Sequence, residues 1–152
     1  MSDPVLKGAS ILILEDELLL RKHLVAVLEQ QDADVTAIGT VDEARRVVGS
    51  LSFDFALLDL HLPDGLGTDL LKEGIFSPNT AVIVCTAEGG IKSAVEAIKN
   101  GAQDYLLKPI DSSVLPMILQ KAKTSTRSAR LVELSLIHIS EPTRQEAISY
   151  AG

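Results

Sequence analysis

The chain has 152 residues, 46% of them hydrophobic, and a formal net charge of −7. This suits one globular domain with a proper core, and the acidic balance argues against nucleic-acid binding through its own surface. No apolar stretch approaches the ~20 residues of a membrane span, and the first ten residues lack the basic and apolar regions of a secretory leader, so a cytoplasmic protein without a membrane partner is expected.

Five short apolar runs alternate with segments of helical character. The first, β1 (about Ser10 to Leu14), ends at Glu15 and Asp16. In α1 (about Leu18 to Gln30), Leu20, His23, Leu24, Val27 and Leu28 share a face at helical spacing, with His23 a boundary side chain rather than a ligand. β2 lies near Ala33 to Ile38. Thr40 with Glu43 three residues on forms a capping box that opens α2, running through Val48. β3 (Phe53 to Leu58) ends at Asp59. The turn Pro63-Asp64-Gly65-Leu66-Gly67 precedes a short α3 (about Gly67 to Glu73). β4 (Ala81 to Cys85) ends at Thr86; Cys85, the single cysteine, lies inside this apolar run and reads as core, not as a metal or redox centre. α4 spans about Ile91 to Asn100, and Gly101 suits a left-handed position after it. β5 (Asp104 to Leu107) ends at Lys108. Asp111 resembles an N-cap of the last helix, but Pro116 belongs in a first turn. A start at about Ser113 satisfies Pro116, giving α5 through Lys123 and on toward Val132.

Strands alternating with helices in this way imply an α/β fold: a parallel sheet with right-handed crossovers and helices on both faces. Ligands of such sheets bind outside the carboxyl ends of the strands. Glu15, Asp16, Asp59, Thr86 and Lys108 should therefore converge on one crevice. Three carboxylates so placed repel one another unless a cation joins them. Oxygen donors without His or Cys favour Mg²⁺ or Mn²⁺. Asp59 is then a candidate nucleophile, since carboxylates form aspartyl-phosphates. Lys108 and the Thr86 hydroxyl would contact the remaining phosphoryl oxygens, and Ala87 leaves room for them. A cis Lys108–Pro109 bond, cheap for X–Pro, would turn the lysine toward the crevice.

LILEDE, LLDLHLPDGLG, VIVCTAEG and AQDYLLKPID, in this order, resemble the receiver domain of bacterial two-component response regulators, and the likeness spans about Ala9 to Lys123. The resemblance implies a flavodoxin-like (βα)5 doubly wound sheet with strand order 2-1-3-4-5. It implies Asp59 as phosphoacceptor, Asp16 on the metal with Glu15 near it through water, the His61 backbone carbonyl as a further ligand, and Tyr105 as an aromatic that moves with Thr86. Glu15 stands where the family more often has Asp. The implied partners are a sensor histidine kinase or phosphotransfer protein, and a second copy through the α4/β5/α5 face. Gly89 and Gly90 would let the loop before α4 move. A phosphatase of the haloacid-dehalogenase kind also uses a strand-end Asp and Mg²⁺, but needs a second acid where this chain has His61. A degenerate receiver serving only as a binding module is the third reading.

Residues 1–123 are expected to form the receiver and 124–133 a linker or helix extension toward an effector domain. Leu134 to Ala151 (LSLIHISEPTRQEAISYA) closely resembles the translated adapter of a transposase-based sequencing library. On that reading 134–152 is a non-native tail and the natural coding sequence is interrupted near Glu133.

Overall fold

The computed structural model describes residues 6–87 and 90–123. Gly89, the expected linker at 124–133 and the expected tail at 134–152 lie outside the described residues. The main sheet has five parallel strands, β1 (Ser10–Leu14), β2 (Asp34–Ile38), β3 (Phe55–Leu58), β4 (Ala81–Thr86) and β5 (Asp104–Leu107). Their spatial order is β2-β1-β3-β4-β5, the expected 2-1-3-4-5. The order reverses direction between β1 and β3, where the crossovers part to opposite faces and leave a crevice.

The three central strands are apolar between Ser10, which opens β1, and Thr86, which closes β4, because both of their faces are covered. Leu12, Leu14, Ala56, Leu58, Val82 and Val84 pack on one side with Val41 and Ala44 of α2 (Val41–Ser50), Leu70 and Leu71 of α3 (Gly67–Glu73) and Ala97 of α4 (Ile91–Lys99). Ile11, Ile13, Phe55, Leu57, Ile83 and Cys85 pack on the other with Leu24 and Leu28 of α1 (Leu18–Glu29) and with Leu115 and Leu119. The division follows the two-residue period of the strands. Each fully buried Leu or Ile contributes about 1.5–3 kcal/mol, so this two-sided core holds the strand ends, and the residues just beyond them, in fixed register.

Helix ends follow local chemistry. The Glu43 N–H donates to Thr40 Oγ1 at 3.1 Å, while Glu43 Oε1 accepts from the Gly39 N–H at 3.1 Å, so the box closes on the residue before the cap. Gly101 has φ 113, the left-handed region that glycine tolerates. The start of α5 combines two expectations. Asp111 caps a 3-10 turn, Ser112–Val114, by accepting from the Ser113 N–H at 3.0 Å. The regular helix, α5, then covers 115–123, which leaves Pro116 in its first turn. The Gly-rich segment before α3 is a small β hairpin, His61–Leu62 with Gly65–Leu66, rather than a simple turn; strands of two residues are too short to show a hydrophobic alternation. Among the described residues no helix is long and apolar enough to cross a membrane.

Candidate functional site

Sheet hydrogen bonding continues past the strand ends and sets the crevice. The Glu15 N–H donates to the Ile38 carbonyl at 3.0 Å, the Asp59 N–H to the Leu14 carbonyl at 3.0 Å, and the Lys108 N–H to the Thr86 carbonyl at 2.8 Å. The residues that follow β1, β3 and β5 are thereby each held beside the end of a neighbouring strand, β2, β1 and β4 respectively. Glu15 is 3% exposed and Asp59 7%; Asp16 faces solvent. One carboxylate oxygen from each of the three lies within 4.8 Å of the others.

Lys108 crosses the crevice to them. Its Nζ is 2.6 Å from Glu15 Oε1 and 3.0 Å from Asp59 Oδ2. Burial disfavours the ammonium, but the hydrogen bonds to Glu15 and Asp59 outweigh it and hold the Lys108 pKa above its ordinary value. Burial pushes the Glu15 carboxyl up, assisted by the charge of Asp59; the Lys108 ammonium and the Glu17 N–H, 3.0 Å from Oε2, only partly oppose this. The site therefore keeps a fixed cation while one of its acids is reluctant to ionise. Burial drives the Cys85 thiol up to about 12, which removes it from nucleophilic or metal chemistry at neutral pH.

The segment after Asp59 is tied down on both sides. The His61 N–H lies 3.4 Å from Asp59 Oδ1. The Gly67 N–H donates to the Leu60 carbonyl at 2.7 Å, and any Cβ at Gly67 would overlap the Asp59 backbone carbonyl. Asp64 Oδ1 and Oδ2 accept from the Val41 and Asp42 N–H groups at 2.8 and 3.0 Å, pinning the hairpin to the start of α2. In the sequence Asp64 is marked only as a turn residue. An acid in a Pro-Asp-Gly turn gives no sign that it will reach the N–H groups of another helix.

Thr86 is the buried last residue of β4. Tyr105 is half-buried and packs on the core face shared by α2, α3 and α4. The Lys108–Pro109 bond is cis. His23 is exposed on α1, with its Nε2 3.1 Å from Ser112 Oγ. Arg21 also escaped the sequence reading, although its Nη1 donates to the Glu15 carbonyl at 2.9 Å.

Three carboxylates offering only hard oxygen atoms, two of them buried and one open to solvent, suit a divalent cation such as Mg²⁺ that keeps some of its waters. A cation there, together with Lys108, would offset the repulsion among the acids, and a phosphoryl group reaching Asp59 would meet positive charge on two sides.

The response regulator receiver domain model matches residues 11–120. Response regulator protein PilR of Pseudomonas aeruginosa is 39% identical over 66% of this chain, which covers 23% of PilR. The chain likewise spans only part of its other curated relatives, for example 53% of the swarming motility regulation protein RssB of Serratia marcescens. A Burkholderia pseudomallei response regulator, solved with a phosphorylated aspartic acid and a calcium ion, superposes with a TM-score of 0.71 at 27% identity, covering 87% of this chain and 82% of that one. The beryllofluoride-activated NtrC4 receiver domain dimer superposes with a TM-score of 0.71 at 31% identity, over 77% of this chain and 98% of that one. Motif order, sheet order and the family match agree over the same residues, and the chain belongs to the response regulator receiver domain family.

Proposed function

We propose that Asp59 is the phosphoacceptor of a two-component signalling switch. The observation that carries this reading is the buried Asp59 carboxylate, set within reach of two further acids and 3.0 Å from the Lys108 ammonium. One Asp59 oxygen attacks the phosphorus of a phosphohistidine on a sensor histidine kinase or phosphotransfer protein. The P–N bond breaks and the imidazole leaves with its electron pair and takes up a proton. Lys108 neutralises a phosphoryl oxygen and the Thr86 hydroxyl donates to another. Asp16, Asp59 and the His61 backbone carbonyl would hold Mg²⁺ (or Mn²⁺), with Glu15 nearby to reach it through water, and the ion would supply further charge neutralisation. The protein transfers the phosphoryl group to itself and hydrolyses it slowly, rather than turning over an external substrate.

Phosphate becomes output through Thr86 and Tyr105. A hydrogen bond from Thr86 to the phosphoryl group draws the β4–α4 loop inward and vacates space that Tyr105 fills. The α4/β5/α5 face changes in consequence. Ile91, Val95 and Ile98 of α4 and Leu107 of β5 are exposed on this part of the surface, which favours a homodimer there, and the NtrC4 receiver is a precedent for a dimer of an activated receiver. The domain, taken as residues 1–123, acts in the cytoplasm and passes the signal through 124–133 to an effector, with transcription as the regulated process; 134–152 is non-native.

Incubation with acetyl phosphate and Mg²⁺, followed by intact-mass measurement, tests the reading. One base-labile phosphoryl group should appear on the wild-type chain and none on Asp59→Asn. Undiminished phosphorylation of that variant would overturn it.

A further inference from the structure

Arg21 reaches from α1 back over the turn that carries the acids, and its Nη1 donates to the Glu15 carbonyl at 2.9 Å. Its guanidinium occupies space left by a missing side chain. A Cβ at Gly39, in the loop after β2, would lie 2.6 Å from Arg21 Nη1 and 3.8 Å from the Asp16 Cα. The guanidinium is thus sandwiched between the β2–α2 loop and the backbone of the acidic turn. Glu15 is consequently held at both ends, by Arg21 at its carbonyl and by Lys108 at its carboxylate. Among the described residues nothing comparable braces Asp16, whose side chain is exposed; its direction depends on the backbone that Arg21 grips.

We infer that Arg21 is a positioning residue of the metal site: by clamping the Glu15 carbonyl across Gly39, it holds the β1–α1 turn in the shape that presents Glu15 and Asp16 to a divalent cation. This rests on the reading of the acidic cluster as a Mg²⁺ site. A purely electrostatic role for Arg21 has the opposite consequence. A nearby positive charge repels a divalent cation, so removing it would tighten Mg²⁺ binding, whereas loss of a clamp loosens it.

Gly39 gives an independent handle. The atom that an alanine there would meet is the far end of a flexible side chain, so the fold yields cheaply, by moving the guanidinium off the Glu15 carbonyl. Gly39→Ala should therefore copy Arg21→Ala without removing any charge. Once Arg21 has been truncated, Gly39→Ala has nothing left to displace.

The test is calorimetric titration of the full chain with MgCl2, with thermal melts in the absence of Mg²⁺ to confirm that each variant is folded. Loss of a residue that orients ligands typically weakens metal binding by ~10-fold or more, and an increase in Kd of about that size is expected for Arg21→Ala and for Gly39→Ala. The double variant should bind no more weakly than Arg21→Ala. Unchanged or tighter binding by Arg21→Ala would overturn the inference, as would an equal penalty from Gly39→Ala in both backgrounds. If the wild-type chain itself fails to bind Mg²⁺, the reading of the acidic site fails instead, and the two failures are distinguishable.

Discussion

Lys108 and Asp59, 49 positions apart in sequence, meet at 3.0 Å between Nζ and Oδ2. The same ammonium also bonds to Glu15, so one cation serves two buried acids. Truncating it leaves those acids facing each other in a poorly hydrated site. Lys108→Ala is expected to lose about 2–3 kcal/mol of stability in urea denaturation, softened by proton uptake on Glu15, and to phosphorylate much more slowly. A variant as stable and as fast as wild type would show that the ion pair is incidental.

Gly67 makes a steric prediction. Its missing side chain lets the start of α3 lie directly on the Asp59 carbonyl, and backbone there cannot swing aside as a side chain can. Gly67→Ala should cost about 1–3 kcal/mol by overpacking and slow phosphorylation, because the loop after Asp59 must shift. Denaturation midpoints and phosphorylation rates on the purified variant check both effects.

Asp64 sets a pH dependence. Its hydrogen bonds from the Val41 and Asp42 N–H groups hold its carboxyl below the usual range. A depressed native pKa stabilises the fold above the unfolded value, about 3.9, and that stabilisation is lost as pH falls through the native value. Asp64→Ala should accordingly be less stable than wild type at neutral pH, with the gap narrowing as pH drops below about 4. A gap of constant size down to low pH would contradict this account of Asp64.

The output step predicts separable defects. One charge-assisted hydrogen bond from Thr86 to a phosphoryl oxygen is worth about 1.5–3 kcal/mol, enough to shift a two-state population. Thr86→Ala should still be phosphorylated on Asp59 but should dimerise at least ~10-fold more weakly in the presence of beryllofluoride. Analytical ultracentrifugation measures the response, and an unaltered dimer would break the proposed link between Thr86 and the α4/β5/α5 face.

The sequence made visible whatever depends on strand ends. Apolar runs buried on both faces announce β1, β3 and β4, and Glu15, Asp59 and Thr86 stand immediately after them or at their close. Pro116 posed a conflict with Asp111 that a 3-10 turn resolves, and such a turn has too short a period to be read from hydrophobicity. Arg21 and Asp64 were hidden for a different reason. Each is charged and sits where a solvated side chain is unremarkable, and each acts through a backbone group that lies far off in sequence or follows no pattern of side chains.

The central claim is that the phosphoryl group resides on Asp59. The most direct measurement is peptide mapping after phosphorylation with acetyl phosphate and Mg²⁺ and reduction with borohydride, which converts an aspartyl phosphate to homoserine. Homoserine at position 59 alone is the predicted result. Homoserine at Asp16, or 5-hydroxynorvaline from a glutamyl phosphate at Glu15 or Glu17, instead of homoserine at position 59 would contradict it, as would phosphorylation with no reduced residue at position 59.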